Sequence, residues 1–372
     1  MTSIIYVGMD VHTTNYTLCC YSVEDDRFFA EVQVEPDAKN ILKYLARIEK
    51  QQSRDCRIVC GYEAGCLGYS LYHQLHAHGI DCVILAPTTM MTKPGKRIKT
   101  DRRDARLISK CLAFHTYSPV YIPTEVDDAV KEYIRMRDDA NSALARVKQQ
   151  IIAFCIRHGK IHDGKSYWTN KHLEWLSSLD LGNKILSEVL QEYLIRYYQL
   201  REQVDMYDMR INELAQAEPY RQKVEKLGCF RGIAAHTALS FCVEVGDFRR
   251  FATAQQFASY LGLVPGECSS GDKQQYTGIT KAGNSHLRKL LVETAQVFGR
   301  SATKSGKSVA LKERQAKCDS LTVAYADKAN ARLKKKYFKI AMRSKVNIAK
   351  TAVAREMACF IWGMMTDNIS CA

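Results

Sequence analysis

The sequence predicts an α/β domain with a mixed sheet, joined to a mainly helical remainder, and three observations support this fold class. In residues 1–118, short runs rich in β-branched and aromatic residues alternate with helical periods. In residues 119–220, apolar residues recur in alternating steps of four and three. Residues 221–372 combine glycine-containing turns with a basic, helical tail. These three segments are the predicted domains.

The first predicted domain has the element order βββαβαβα. Its strands are predicted over residues 4–10, 16–23, 27–34, 57–62 and 81–86. Its helices are predicted over residues 37–50, 67–78 and 100–113. Consecutive strands joined by short turns pair antiparallel, whereas strands separated by helices pair parallel. The sheet is therefore expected to be mixed.

Four acidic residues lie at the boundaries of these elements. Asp10 ends the first predicted strand, Glu63 follows the fourth, and Asp101 and Asp104 begin the last helix, where residues i and i+3 share a face. Taken singly, these acids are equally well explained as surface residues or helix caps. Because ligands in open α/β sheets bind beyond the carboxyl ends of strands, the four together predict a site for Mg²⁺ or Mn²⁺.

Positive charge surrounds the last two acids and dominates the C-terminal tail. The residues singled out are Lys99, Arg102, Arg103 and Arg106 around the last helix, and Lys334, Lys335 and Lys336 in the tail. The chain has a formal net charge of +14, and residues 281–350 alone hold 18 Lys or Arg against four acids. A charge run is often only a solvated helix face, but an excess of this size favours binding to the nucleic-acid backbone.

The middle segment contains two apolar seams with a 3.5-residue period, which is typical of coiled-coil helices. The first runs from Val126 to Phe154 and is interrupted at Arg137, while the second runs from Leu186 to Leu214 without interruption. An antiparallel helical hairpin that acts as a spacer and an arm through which subunits assemble both fit this pattern. The two are compatible, and we favour a role in subunit assembly.

Two features of the third segment point to contacts with phosphate. Residues 227–238 resemble a helix-hairpin-helix, whose turn presents backbone N–H groups to a phosphate, although a tight interhelical turn gives the same pattern. Ser270 precedes a glycine in a polar loop where its hydroxyl can be exposed, although Ser-Ser-Gly is ordinarily a turn. Lys281, His286 and Arg288 follow, and they suit binding of a phosphate and stabilisation of charge that develops on it.

Several classes of protein and site are excluded by pattern. The N-terminus has neither the basic region nor the apolar core of a signal peptide, and no apolar run approaches the ~20 residues of a membrane span. The 14 cysteines form no paired CxxC pattern, so we expect reduced thiols and a cytoplasmic location rather than disulfides or a zinc site. A Walker-type loop is rejected because Gly306-Lys307-Ser308 lacks the glycine five residues earlier.

Several short blocks carry a resemblance to a known family. The blocks from Gly8 to His12, Tyr62 to Gly65 and Lys99 to Arg106 resemble the DEDD motif of a transposase family found in bacterial and archaeal insertion sequences. Residues 260–271 and 278–284 resemble the C-terminal signature of that family. The resemblance covers nearly the whole chain, and the motifs occur in the order of the family. One departure is Ala234 in the turn, where members often carry a second glycine.

The resemblance implies an N-terminal RuvC-like domain of the RNase H fold, a coiled-coil middle and a mainly helical C-terminal domain with a catalytic serine. By position, Asp10, Glu63, Asp101 and Asp104 are implied to hold Mg²⁺, and Ser270 is implied to be the nucleophile. Members of the family act with a structured bridge RNA that pairs with donor and target DNA. They assemble as dimers joined into a tetramer, in which one active site combines the RuvC-like domain of one subunit with the serine domain of another.

Three functions stay open at this point. The first is an RNA-guided DNA transposase (recombinase) in a prokaryotic cell, associated with the nucleoid when it binds DNA. The second is a metal-dependent Holliday-junction-type nuclease, which needs the four acids but no serine and performs no strand transfer. The third is a non-catalytic nucleic-acid-binding protein in which the acids serve only as caps.

Overall fold

The computed structural model describes residues 3–51, 56–90, 100–267, 276–300 and 306–369. The chain divides into two compact units, residues 1–122 and residues 123–372. The division into three domains at residues 118 and 220 stays a prediction. Two predicted site residues, Lys99 and Ser270, lie outside the described residues.

The described residues of the first unit form a five-stranded mixed sheet and three α-helices. Its strands are β1 (Ser3–Val11), β2 (Tyr16–Ser22), β3 (Arg27–Val34), β4 (Cys56–Glu63) and β5 (Asp81–Leu85), in the spatial order β3-β2-β1-β4-β5. Its helices are α1 (Ala38–Gln51), α2 (Ser70–Ala77) and α3 (Asp101–Ala113). β1 pairs antiparallel with β2 and parallel with β4, so the predicted mixed sheet and element order are confirmed.

The two faces of this sheet are covered by different helices, because successive side chains of a strand point to opposite faces. Val7 and Met9 of β1 pack with Ile41 of α1 and Leu75 of α2 in one apolar cluster. Tyr6 of β1 belongs to a second cluster, built on α3. The even-numbered positions of β1 therefore face α3, and Asp10 is one of them.

Where the structure describes it, the second unit is helical apart from one short β-hairpin. Its helices are α4 (Glu125–Arg157), α5 (Asn170–Ser177), α6 (Lys184–Gln216), α7 (Arg221–Gly228), α8 (Ala235–Val245), α9 (Ala254–Tyr260), α10 (Ser285–Ala295), α11 (Val309–Gln315), α12 (Ser320–Ala341) and α13 (Val346–Met365). The strands β6 (Pro265–Glu267) and β7 (Tyr276–Ile279) pair antiparallel to form the β6–β7 hairpin. Among the described helices, none is both long and apolar enough to span a membrane.

Helices α4 and α6, here called the arm, are 33 residues long each and pack against one another. Four residues of the second predicted seam, spaced seven apart, are buried; they are Leu190, Tyr197, Val204 and Ile211. In the first seam, the apolar residues from Val130 onward face inward, but Val126, in the first turn of α4, is 61% exposed. The apolar period therefore identified the pairing of the two helices, except at the beginning of the first seam.

The predicted helix-hairpin-helix corresponds to α7, a turn and α8. Gly232 in the turn has φ +86°, and a Cβ there would lie 2.9 Å from Thr294 Cγ2. Phe230 and Ile233 are fully buried, and the Arg231 backbone N–H donates to Asn330 Oδ1 at 2.9 Å. The turn is thus packed into the core of the unit, and its role in phosphate binding stays a prediction.

Candidate active site

Three side chains converge where β1 ends. Asp10, His12 and Asp101 each place one ligand atom so that all three atoms lie within 4.8 Å of one another. Asp10 Oδ2 lies 3.3 Å from His12 Nε2, but this buried oxygen makes no hydrogen bond within the described part of the chain. Two carboxylates and an imidazole, with one carboxylate oxygen left without a hydrogen bond, form a set of ligands that fits a divalent cation.

The close approach of α3 to β1 brings Asp101 to this place. A Cβ on Gly8 would lie 2.0 Å from the Ala105 carbonyl oxygen and 2.4 Å from the Ser109 nitrogen, so only glycine leaves room for the helix backbone. Helix α3 begins after its N-cap Thr100, whose side chain accepts from the Arg103 N–H. The first turn of the helix therefore lies beside the end of β1.

The electrostatics of the cluster favour a bound cation. Burial raises the pKa of the Asp10 carboxyl above its ordinary value, His12 opposes this shift, and the charges of Asp104 and Asp101 add to it. Carboxylates that disfavour one another's ionised forms are stabilised together by a positive ion.

The other two predicted acids lie near the cluster without belonging to it. Glu63 is exposed and follows Tyr62, which pairs with Met9, so the register places Glu63 beside Asp10 on the same face of the sheet. Asp104 is one turn into α3 and is close enough for its charge to act on Asp10. The structure thus groups Asp10 with Asp101, whereas the carboxylates of Glu63 and Asp104 are not among the three groups whose ligand atoms lie within 4.8 Å of one another.

The basic residues of α3 have protein partners in the structure. Arg106 Nε donates to Glu31 Oε2 at 2.7 Å, and Arg102 Nε lies 3.3 Å from Glu31 Oε1. Both side chains remain about half or more exposed, at 49% and 78%, and Arg103 is exposed as well. Glu31 on β3 therefore holds two guanidinium groups at the surface, where their contact with nucleic acid stays a prediction.

In the second unit, the described residues on either side of Ser270 form the base of the β6–β7 hairpin. Arg288 Nη1 donates to the carbonyl oxygens of Leu261 at 2.9 Å and Ala282 at 3.3 Å, so this guanidinium holds the backbone of the hairpin base. Lys281 is exposed and has φ +56°. Of the tail lysines, Lys336 pairs with Glu356 at 2.6 Å, and Lys335 is exposed.

Sequence reasoning missed His12 as part of the cluster and missed a second group of charged side chains. His12 stands in the first motif, two residues after Asp10, and that spacing was the available signal. The second group surrounds Asp138 on α4, which contacts His236 of α8 and His286 of α10. Its signal was Arg137, the polar residue that interrupts the first apolar seam.

Two family profiles match separate parts of the chain. A DEDD transposase profile matches residues 7–156. The profile described as the IS116/IS110/IS902 family of transposases matches residues 225–314. The first match contains the Asp10 cluster, and the second contains the β6–β7 hairpin.

Proteins similar over most of the chain bear transposase names. The chain is 32% identical over 340 residues to the transposase for insertion sequence element IS1533 of Leptospira borgpetersenii, which covers 90% of this chain and 95% of the relative. It is 36% identical over 307 residues to y4qE of Sinorhizobium fredii, a protein named as a transposase, over 82% of this chain and 75% of the relative. It is 26% identical over 268 residues to the transposase for IS1111A of Coxiella burnetii, over 68% and 71% of the two chains.

Proposed function

Because the chain belongs to the IS110/IS116/IS902 family of insertion-sequence transposases, we propose that it cuts and rejoins DNA strands by metal-assisted attack of a serine. Membership of the family implies DNA cleavage and strand transfer. The observation that carries the finer proposal is the convergence of Asp10, His12 and Asp101 at the edge of a five-stranded mixed sheet. That sheet is compatible with a RuvC-like domain of the RNase H fold.

The first unit supplies the proposed metal site. Asp10, Asp101 and His12 would hold Mg²⁺ or Mn²⁺, and Glu63 and Asp104, which lie near this cluster, would complete the set of acids. A divalent cation held there would supply polarisation of the scissile phosphate and stabilisation of the leaving oxygen. Gly8 keeps α3 against β1, so the chain presents Asp10 and Asp101 to the substrate in a fixed arrangement.

The second unit supplies the proposed nucleophile. Ser270 Oγ attacks phosphorus, loses its proton and forms a serine–phosphate ester, while the bond to the departing sugar oxygen breaks and that oxygen takes up a proton. The ester conserves the phosphodiester bond energy, so a new strand end can displace the serine without ATP. This role of Ser270 is supported by its place in the family signature rather than by described geometry.

A structured guide RNA is the proposed source of sequence choice, and the protein contributes shape and backbone contacts. The charge excess in residues 281–350 and the exposed arginines of α3 support binding to RNA, donor DNA and target DNA. Subunits are proposed to assemble through the arm into dimers and then a tetramer. Sequencing of RNA that co-purifies with the protein tests the guide: an RNA encoded beside the gene is expected, and DNA cleavage independent of any RNA contradicts it.

The metal site is tested by strand cleavage in Mg²⁺ or Mn²⁺ with single variants of Asp10 and Asp101. We expect Asp10→Asn and Asp101→Asn to abolish cleavage and to weaken Mn²⁺ binding measured by electron paramagnetic resonance. Asp25→Asn is the matched control, because Asp25 is an exposed acid in the turn between β2 and β3. If both active-site variants cleave DNA and bind Mn²⁺ like the wild type, Asp10 and Asp101 are not metal ligands and the proposed metal site is wrong.

A further inference from the structure

A partly buried group of titratable side chains links the arm to the helices that flank the β6–β7 hairpin. Its centre is Asp138 on α4, whose side chain is 21% exposed. Asp138 Oδ1 accepts from Arg137 Nη1 at 3.1 Å, and Arg137 in turn binds both carboxylate oxygens of Asp208 on α6, at 2.7 and 2.9 Å. The polar interruption of the apolar seam therefore fixes α4 to α6 and presents Asp138 to the rest of the unit.

Two histidines approach Asp138 from α8 and α10. His286 Nε2 lies at hydrogen-bond distance from Asp138 Oδ2, at 2.8 Å. His236 Nε2 lies 3.0 Å from Asp138 Oδ1, and His286 Nδ1 lies 3.3 Å from Glu244 Oε1. Among the described residues, neither His236 Nε2 nor His286 Nδ1 has a hydrogen-bond partner. His286 thus lies between two carboxylates.

The charged ring is the form of His286 that suits both neighbours, because only imidazolium has an N–H on each nitrogen. Burial disfavours the charged form, but the carboxylates of Asp138 and Glu244 outweigh it and raise the pKa of His286 to about 9. Burial likewise opposes ionisation of Glu244, and the contacts from His286, Asn284 and Arg135 lower its pKa to about 2. The groups that face His286 are therefore charged at neutral pH.

Glu244 extends the group to the hairpin base. Its side chain is 7% exposed, with Oε1 3.2 Å from Arg135 Nη2 of α4 and Oε2 accepting from Asn284 Nδ2 at 2.9 Å. Asn284 also caps α10, because its Oδ1 accepts from the Leu287 N–H at 3.0 Å. Its amide reaches Tyr260 Oη at 3.2 Å as well. One carboxylate therefore joins the arm to the residues that follow β7.

The hairpin base itself leaves little freedom. A Cβ on Gly262 would lie 2.1 Å from the Ala282 carbonyl oxygen, and one on Gly283 would lie 2.0 Å from the Tyr260 carbonyl oxygen. Backbone hydrogen bonds from Thr280 to Val264, from Lys281 to Gly262 and from Asn284 to Tyr260, at 2.9, 3.1 and 2.9 Å, hold the same two segments together. A shift of Asn284 is thus transmitted to both strands of the hairpin.

We propose that Asp138, His286 and Glu244 form a positioning relay, through which helix α4 of the arm sets the placement of the β6–β7 hairpin. In this proposal the three are positioning residues that do not touch the reacting atoms. The effect of these three residues on the rate of strand cleavage rests on the proposed role of Ser270, which lies between β6 and β7 in the sequence. Movement of α4 on assembly or DNA binding shifts Asp138, and His286 and Glu244 carry that shift to Asn284.

The test combines hydrogen exchange with cleavage kinetics in the full-length protein. Asp138→Asn and His286→Gln are the variants, and Asp205→Asn on α6 is the matched control, since Asp205 is 70% exposed. We expect the amides of Thr280, Lys281 and Asn284 to exchange at least about tenfold faster in both variants, while the arm keeps its protection. Single-turnover cleavage slows by at least about tenfold with unchanged DNA affinity, and the double variant is no slower than the slower single variant.

Unchanged exchange of these three amides, or rate losses that multiply in the double variant, overturns the relay. The wild type offers a check that needs no variant: nitrogen NMR of the His286 ring is expected to show both nitrogens protonated at pH 8. A neutral ring at pH 7 also contradicts the proposal. If Ser270→Ala cleaves like the wild type, the proposed function fails, and the exchange measurement still decides whether the relay positions the hairpin.

Discussion

Gly8 of β1 lies so close to Ala105 of α3 that a Cβ on the glycine would come within 2.0 Å of the alanine carbonyl oxygen. This contact sets the distance between β1, whose last residue but one is Asp10, and the helix that begins at Asp101. The close packing of a helix backbone on a strand thus determines where two of the proposed metal ligands meet.

Gly8→Ala is expected to displace α3 and to separate Asp10 from Asp101. Overpacking of this kind costs about 1–3 kcal/mol in the free energy of unfolding, and Mn²⁺ affinity falls with it. Gly65→Ala is the control, because a Cβ there would have its nearest neighbour at 3.8 Å, and its effect stays within about 0.5 kcal/mol. Unfolding in urea and Mn²⁺ titration measure both. Unchanged Mn²⁺ affinity in Gly8→Ala contradicts the structural account of the site.

Asp10→Asn is expected to stabilise the metal-free protein although it removes a proposed ligand. The pKa of Asp10 is raised in the folded state, so the unfolded chain loses its proton first as pH rises. The free energy of unfolding therefore decreases as pH rises through the raised pKa, and the asparagine variant avoids this loss. Thermal unfolding in EDTA at pH 7 measures the effect. A lower melting temperature in Asp10→Asn than in the wild type would refute it.

His172 lies on α5, which follows α4 and precedes α6 in the chain, and it is expected to make the stability of this region depend on pH. It is 1% exposed, its Nδ1 accepts from the Trp168 N–H at 3.2 Å, and burial together with His162 lowers its pKa below 6.5. Since the unfolded chain binds the proton more readily, stability rises with pH between that lowered pKa and 6.5 and then levels off.

Unfolding followed by tryptophan fluorescence between pH 5 and 8 checks this dependence on His172. His172→Gln keeps an acceptor but cannot be protonated, so its pH dependence is expected to be flatter. His158→Gln, at an exposed position, serves as the control. Equal pH dependence in His172→Gln and the wild type would show that His172 is not the group responsible.

Two neighbouring lysines of α12 are expected to contribute unequally to nucleic-acid binding. Lys335 is exposed, whereas Lys336 lies 2.6 Å from Glu356 and is partly neutralised by it. Lys335→Gln is expected to reduce the slope of log affinity against log salt by about 1. Lys336→Gln should change the slope less. Fluorescence anisotropy with labelled DNA at several salt concentrations measures both slopes. Equal slopes in the two variants contradict the claim that Lys335 contributes more than Lys336 to nucleic-acid binding.

The helices and strands were predictable because the sequence patterns that specify them lie within each segment. Strand β3 covers residues 27–34 as predicted. Helix α3 begins at Asp101, one residue after the predicted start at Thr100, which is its N-cap. The apolar period identified the arm because burial repeats every seven residues along α6. Each of these features depends on residues that are close together in the chain.

Contacts between distant residues were not predictable in the same way. Arg106 and Glu31 are 75 residues apart, and nothing in either segment indicates that they pair. The group around Asp138 requires three helices, and the sequence pointed His286 to a phosphate rather than to the carboxylates of Asp138 and Glu244 that it contacts. The role of His12 depends on how far α3 approaches β1, which follows from packing at Gly8 rather than from the motif alone.

The central claim is that Ser270 carries the DNA strand between cleavage and rejoining. Intact-protein mass spectrometry of a reaction with a DNA substrate and Mg²⁺ or Mn²⁺, stopped by denaturation, tests it most directly. The account predicts a covalent DNA adduct that peptide mapping places on Ser270, present in Ser269→Ala and absent in Ser270→Ala. Strand cleavage by Ser270→Ala at the wild-type rate, with no adduct in either protein, would contradict the account and favour a metal-dependent nuclease.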